Sequence, residues 1–139
     1  MKVFLDTNVI LDLILKRQPF FDEVAKIMTL AELNNIQLYV SSITIVNANY
    51  ISCKFADKLK VLESIKLIRM TFNIASVSET EIDKALFSNF TDFEDAVQYF
   101  SASKNNCNYI ITRDNKDFRH SEIPVLAPSE FIKIVHNKL

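Results

Sequence analysis

The architecture follows from Lys2-Val3-Phe4-Leu5-Asp6-Thr7-Asn8, a short apolar run that ends at a carboxylate. A brief, uninterrupted apolar run is typical of a strand that is buried on both faces. We predict this strand over residues 2–5 and a helix over residues 7–15 that ends near Lys16-Arg17 and Pro19. Asp6 therefore lies where the first strand gives way to a helix.

Short strands and longer helices alternate along the rest of the chain. Further strands are predicted at residues 36–40, 73–76, 109–111 and 124–126. Further helices are predicted at residues 20–34, 41–55, 57–70, 78–87, 91–104 and from Pro128 onward. Two of these helices begin with the spacing of a capping box, Ser78 with Glu81 and Thr91 with Glu94. This alternation predicts an α/β fold, a three-layer α/β/α sandwich around a central, mostly parallel sheet.

The composition is that of an ordinary globular chain. Its 139 residues are 49% hydrophobic and 24% charged, so we expect a single domain over residues 1–139. The net charge of −1 provides no global field for nucleic acid, and such binding would need a local patch. Glycine is absent, which excludes Gly-rich phosphate loops and the glycine-bearing nucleophile elbow. Left-handed turns are expected at Asn34-Asn35 and Asn105-Asn106 instead.

The few cysteines and histidines indicate neither a zinc site nor an oxidising compartment. Cys53 and Cys107 are far apart in sequence, and with the two histidines they form none of the usual zinc spacings. The apolar residues 3–15 are interrupted by Asp6 and Asp12 and are too few to span a bilayer. We therefore expect a cytoplasmic protein without a membrane segment.

Five acids from three distant segments are predicted to share one edge of the sheet: Asp6, Asp92, Asp95, Asp114 and Asp117. Asp6 and the pair Asp114 and Asp117 each follow a strand directly. Asp92 and Asp95 lie in the first turn of a helix, which begins at the same edge because a crossover helix runs antiparallel to the strands.

Carboxylates that are gathered in this way repel one another. Two charges about 4 Å apart cost on the order of 4 kcal/mol at an effective dielectric constant near 20. A hard divalent cation such as Mg²⁺ or Mn²⁺ removes that repulsion, and it can orient a water and stabilise charge on a phosphate. Since the chain lacks a triphosphate-binding loop, a phosphodiester is the expected substrate.

The three acidic motifs together resemble those of the PIN domain family, in order and in spacing. They are Asp6-Thr7-Asn8, Asp92-Phe93-Glu94-Asp95-Ala96 and Thr112-Arg113-Asp114-Asn115-Lys116-Asp117-Phe118. The resemblance extends from Lys2 to Phe131 and is strongest to VapC-like toxins of bacterial toxin–antitoxin pairs.

The resemblance implies a metal-dependent endoribonuclease that an antitoxin protein holds in check and that forms a homodimer. It assigns Asp6, Asp95 and Asp114 as catalytic, metal-binding acids and adds Asp117 to the metal site. The same resemblance suggests that Asn8 and Thr112 orient the ligands, and we place Asn47 and Asp92 around the site beside them.

One departure from the family pattern concerns Asn47, where the family usually has a glutamate. An amide oxygen can coordinate a hard cation, but it brings no charge, so metal affinity and catalysis should be weaker. The alternative function is therefore a catalytically silent PIN-like module that binds RNA or protein. A phosphatase that forms an aspartyl-phosphate, or a receiver domain, is disfavoured because each would need a second acid that this chain lacks after the first strand, where Asn8 stands.

Local structural roles remain open for the same residues. Asp6 could cap a helix, and Asp92, Glu94 and Asp95 could complement a helix dipole. The Asp114–Asp117 segment could be a polar turn, and Asn47 could line the site or bond a backbone group.

The helix predicted at residues 57–70 carries an apolar face and a basic face. Its inward residues are predicted to be Val61, Leu62, Ile65 and Ile68. Its lysines Lys58, Lys60 and Lys66 form either a solvated face or a flank for RNA phosphates.

Overall fold

The computed structural model describes residues 1–138. Five strands are present: β1 (Lys2–Leu5), β2 (Gln37–Ser41), β3 (Asn73–Ala75), β4 (Tyr109–Ile111) and β5 (Val125–Leu126). The helices are α1 (Thr7–Ile14), α2 (Phe20–Leu33), α3 (Ser42–Ser52), α4 (Lys58–Thr71), α5 (Glu79–Leu86), α6 (Phe93–Lys104) and α7 (Pro128–Lys138). A single turn of 3₁₀ helix, Asn115–Phe118, follows β4. The predicted alternation is confirmed, with bounds that differ by a few residues.

The five strands form one parallel sheet with β1 at its centre. The strand order is β3-β2-β1-β4-β5, and Val3 is in register with Leu38 on one side and Tyr109 on the other. Because all the strands run the same way, their carboxyl ends meet at one edge. The first residues of α1 and α3 lie at that edge, directly after β1 and β2.

Helices cover both faces of the sheet, which confirms the three-layer sandwich. Val3 and Leu5 point into a cluster that includes residues of α1, α2 and α7. Phe4, between them, points into a separate cluster with Tyr99 of α6 and Phe118. This alternation is the period of two expected of a strand, and here both of its faces are apolar.

The start of α6 differs from the prediction. Asp92 is the N-cap and its Oδ1 accepts a hydrogen bond of 2.9 Å from the N–H of Asp95. The expected capping box of Thr91 with Glu94 is therefore wrong, because Asp92 stands next in the chain and caps a helix at least as well as threonine. The other expected box is confirmed, since the N–H of Ser78 donates to Glu81 Oε1 at 2.9 Å.

The inward face of α4 differs from the prediction, whereas the left-handed turns agree with it. Leu62, predicted to face inward on α4, is instead 44% exposed. The buried residues of that helix are Val61 and Ile68. The left-handed turns fall at Asn35 and Asn106 as expected. None of the helices in residues 1–138 is long and apolar enough to cross a membrane.

Candidate active site at the carboxyl edge of the sheet

Asp6 is held by hydrogen bonds on both of its carboxylate oxygens. Thr112 Oγ1 donates to Oδ2 at 2.8 Å, and the backbone N–H of Thr7 donates to Oδ1 at 2.8 Å. Only 6% of Asp6 is exposed, and burial raises its pKa to about 6 although these donors favour the charged form. Asp6 thus caps α1 and also places a carboxyl group, whose charged form burial disfavours, at the edge of the sheet.

A buried polar cluster lies beside Asp6 and joins three elements. Gln98 Nε2 of α6 is 2.7 Å from Thr7 Oγ1 and 2.7 Å from Thr44 Oγ1 of α3. The two hydroxyls are 2.8 Å apart, and Gln98 Nε2 is 3.4 Å from Asp6 Oδ1. Gln98 and Thr44 are not predicted from the sequence pattern. The sequence does offer one indication of Gln98: it is an amide on the apolar face of a helix, three residues after Asp95 and so on the same side.

Asp95 lies in the first turn of α6 and is half-buried. Burial, and then the charge of Asp6, raise the pKa of Asp95 to about 8. Asp92, Asp117 and Glu94 contribute in the same direction. The charges of acids that follow β1, begin α6 and follow β4 therefore all act on the Asp95 carboxyl group.

The acids after β4 form the exposed side of the site. Asp114 is exposed, and its backbone N–H donates to Thr112 Oγ1 at 3.1 Å. Interaction with the Asp114 carboxyl group, and then burial, raise the pKa of Asp117, while interaction with Asp95 opposes that shift. Asp117 therefore interacts with both Asp114 and Asp95, and the charge of Asp117 also acts on Asp6.

Two side chains of α1 fix the segment that follows β4. Asn8 Nδ2 donates to Thr112 Oγ1 at 3.3 Å, and Asn8 Oδ1 accepts from the N–H of Arg113 at 3.4 Å. Asp12 is fully buried and accepts from Arg113 Nε at 2.7 Å and Nη2 at 3.2 Å. The Arg113 guanidinium also stacks 4.1 Å from the ring centre of Phe20. The Asp12–Arg113 pair was not anticipated, although Asp12 was noted as an interruption of the apolar run.

The remaining candidates lie around this centre. Asp92 caps α6 and its charge acts on Asp95. Glu94 had been ascribed to a capping box, but its Oε1 lies 3.5 Å from Thr7 Oγ1 and its charge acts on Asp6 and Asp95. Asn47 is half-buried on α3, three residues after Thr44 and so on the same side of that helix.

The carboxylate oxygens at this edge suit a hard divalent cation, but the acids do not surround a single ion position. Within residues 1–138, no three histidine, cysteine, aspartate or glutamate side chains converge on a single ion position. Burial, and then repulsion from neighbouring acids, raise the pKa values of both Asp6 and Asp95. Mg²⁺ is commonly held by one or two carboxylates with several retained waters, and the oxygens present fit that mode of binding.

The candidate lysines of α4 are exposed, as predicted. Lys66 forms an ion pair of 3.3 Å with Glu63 on the same helix. Lys60 lines a groove with Lys16 and Arg17 at the end of α1. No hydrogen bond or ion pair in the described part of the chain joins these lysines to the acidic edge.

Comparison with known proteins identifies relatives along nearly the whole sequence. Residues 2–116 match a family described as PIN domain. The sequence is 33% identical over 135 residues to Ribonuclease VapC1 of Aquifex aeolicus (strain VF5), covering 94% of this chain and 92% of that protein.

Two solved structures have the same fold. VapBC2 from Rickettsia felis, bound to a DNA fragment from its promoter, superposes with a TM-score of 0.68 at 19% identity, covering 91% of this chain and 98% of that one. A toxin–antitoxin complex from Klebsiella pneumoniae gives a TM-score of 0.65 at 24% identity, covering 91% and 97%.

Proposed function

We propose that this chain, which belongs to the PIN domain family, is an endoribonuclease that cleaves RNA phosphodiester bonds and serves as the toxin of a toxin–antitoxin pair. One observation carries the proposal: acids that follow β1, begin α6 and follow β4 act on one another at the carboxyl edge of the sheet. The relative that shares a third of its sequence is named a ribonuclease.

The proposed cofactor is Mg²⁺ or Mn²⁺, held by Asp6, Asp95, Asp114 and Asp117. When bound, such an ion activates water for attack and neutralises charge on a phosphate. Its binding would also relieve the repulsion that raises the pKa of Asp95.

The residues of this chain hold the catalytic acids in position rather than taking part in covalent chemistry. The Thr112 hydroxyl donates to one oxygen of Asp6 and accepts from the backbone N–H of Asp114. Asp92 fixes the first turn of α6 and so the direction in which Asp95 projects. Each catalytic acid therefore enters the site from an element that a hydrogen bond already anchors.

The proposed partners are RNA, an antitoxin protein and a second copy of this chain. The antitoxin follows from the family and from the toxin–antitoxin complex with the same fold. The homodimer rests on the family resemblance alone. Because a toxin of this kind acts on cellular RNA, we place the protein in the cytoplasm.

The proposed RNA path includes Lys58, Lys60 and Lys66. The support for these residues is their exposure and charge, together with the position of Lys60 beside Lys16 and Arg17. Phosphate contacts of this kind would add affinity without adding sequence preference.

A second candidate function is a catalytically silent module that binds RNA or protein. It is favoured by Asn47, which brings no charge to the position where the family usually has a glutamate. Under this alternative the acidic edge would bind RNA or a partner without cleaving.

RNA cleavage across a metal titration separates the two functions. Wild-type protein and Asp6→Asn are compared on one structured and one unstructured RNA, with Mg²⁺ and Mn²⁺ each added from zero. The proposed function predicts metal-dependent cleavage by the wild type and its loss in the variant. RNA binding by the wild type without cleavage at any metal concentration would establish the silent module instead.

A further inference from the structure

We propose that Gln98 is a positioning residue that sets the placement of Asp6 against α3 and α6, and through it the affinity of the site for a divalent cation. The inference rests on the proposed function and adds to it a residue that does not itself face the substrate.

The geometry is a closed triangle of polar atoms. Gln98 Nε2, Thr7 Oγ1 and Thr44 Oγ1 lie 2.7, 2.7 and 2.8 Å from one another. Gln98 is 1% exposed and Thr44 is fully buried, so water does not compete for these bonds. The amide nitrogen has two N–H groups, which satisfy one hydroxyl each.

The triangle connects the elements that carry the catalytic acids. Thr7 follows Asp6 directly, and Gln98 lies three residues after Asp95 on the same side of α6. Thr44 lies three residues before Asn47, on the same side of α3. One side chain therefore sets the spacing among Asp6, Asp95 and Asn47.

Packing alone does not account for an amide at this position. Gln98 Oε1 is buried and has no hydrogen-bond partner within the described residues. Such a group lowers stability, and a methionine would fill a similar volume without it. The contribution of the amide is therefore in its two N–H donors, which face Thr7 and Thr44, while Asp6 Oδ1 lies 3.4 Å from the same nitrogen.

The test compares Gln98→Met with a matched control, Ser101→Ala. Ser101 is on the same helix and fully buried, and its hydroxyl donates to the Ala75 carbonyl at 3.1 Å, away from Asp6. Both variants should lower the melting temperature. Only Gln98→Met should weaken Mn²⁺ binding, measured by calorimetry, by about tenfold or more. It should also lower kcat on RNA and leave KM nearly unchanged, since no phosphate contact is removed.

A milder variant keeps the inference testable if Gln98→Met does not fold. Thr44→Val removes one hydroxyl of the triangle at nearly constant volume and should weaken Mn²⁺ binding in the same direction by a smaller factor. If Gln98→Met and Thr44→Val, where they fold, bind Mn²⁺ as tightly as the wild type, the inference is overturned. An equal loss of Mn²⁺ affinity in Ser101→Ala would overturn it as well. A wild-type protein that neither binds Mn²⁺ nor cleaves RNA would overturn the proposed function, and this inference with it.

Discussion

The two sides of the acidic edge differ in how firmly they are held. Asp6 is buried and has hydrogen bonds on both oxygens, from the Thr112 hydroxyl and the Thr7 backbone. Asp114 is exposed on a single 3₁₀ turn, with Asp117 beside it. Under the proposed function, we expect the buried side to set the position of a cation and the two acids on the exposed side to substitute for each other. This difference gives each side a distinct response to mutation.

The largest expected effect is a difference in RNA-cleaving activity between variants of Asp6 and variants of Asp114. Asp6→Asn should lower kcat on RNA by about 100-fold or more, because a fixed ligand charge is lost where no neighbour can replace it. Asp114→Asn should lower it by only about tenfold, since Asp117 can supply a carboxylate nearby.

The double variant Asp114→Asn/Asp117→Asn is the control for that comparison. It should approach the loss seen in Asp6→Asn when initial cleavage rates are measured at saturating Mn²⁺. If Asp114→Asn alone is as inactive as Asp6→Asn, the exposed side is not redundant and the comparison fails.

The next effect concerns the pH dependence of metal-free stability. Asp6 and Asp95 have folded-state pKa values of about 6 and about 8, above the ordinary value. The folded protein therefore holds protons that the unfolded chain releases, and the free energy of unfolding should fall as pH rises from about 4 to about 8. Because Asp95 is half-exposed, solvent screening limits its share to about 1–2 kcal/mol.

Denaturant unfolding in a chelator at several pH values measures this slope. Asp95→Asn should flatten the dependence of the unfolding free energy on pH at the upper end of the range. The control Asp22→Asn, at an exposed position of α2, should leave that dependence unchanged. An unchanged slope in Asp95→Asn would show that the carboxyl does not carry the expected repulsion.

The smallest effect lies away from the acidic edge. If Lys58, Lys60 and Lys66 all contact single-stranded RNA phosphates, replacing them with alanine should reduce the slope of log K against log salt by about 2. Alanine at three lysines elsewhere serves as the comparison: Lys26, Lys133 and Lys138. Equal slopes in the two triple variants would remove α4 from the RNA path.

Much of the fold could be predicted because its signals are local. Apolar runs such as residues 2–5 and the capping box at Ser78 specify their own elements. The position of Asp6 and Asp95 at one edge followed from the parallel topology. The start of α6 was misplaced because Thr91 and Asp92 are both good N-caps, and sequence does not rank them.

The interior of the site could not be predicted, because its contacts join residues that are far apart in sequence. Gln98 meets Thr44 across 54 positions, and Arg113 meets Asp12 across 101. Neither pair has a local spacing that marks it. Which of Asp114 and Asp117 faces Asp95 depends on the conformation of the turn, which the sequence pattern leaves open.

The central claim is that these acids together bind a divalent cation. Its most direct test is a calorimetric titration of Mn²⁺ into wild-type protein and Asp95→Asn at neutral pH. The account predicts saturable binding by the wild type and an affinity at least about tenfold lower in the variant. Equal affinity in the two proteins, or no saturable binding by the wild type, would contradict it.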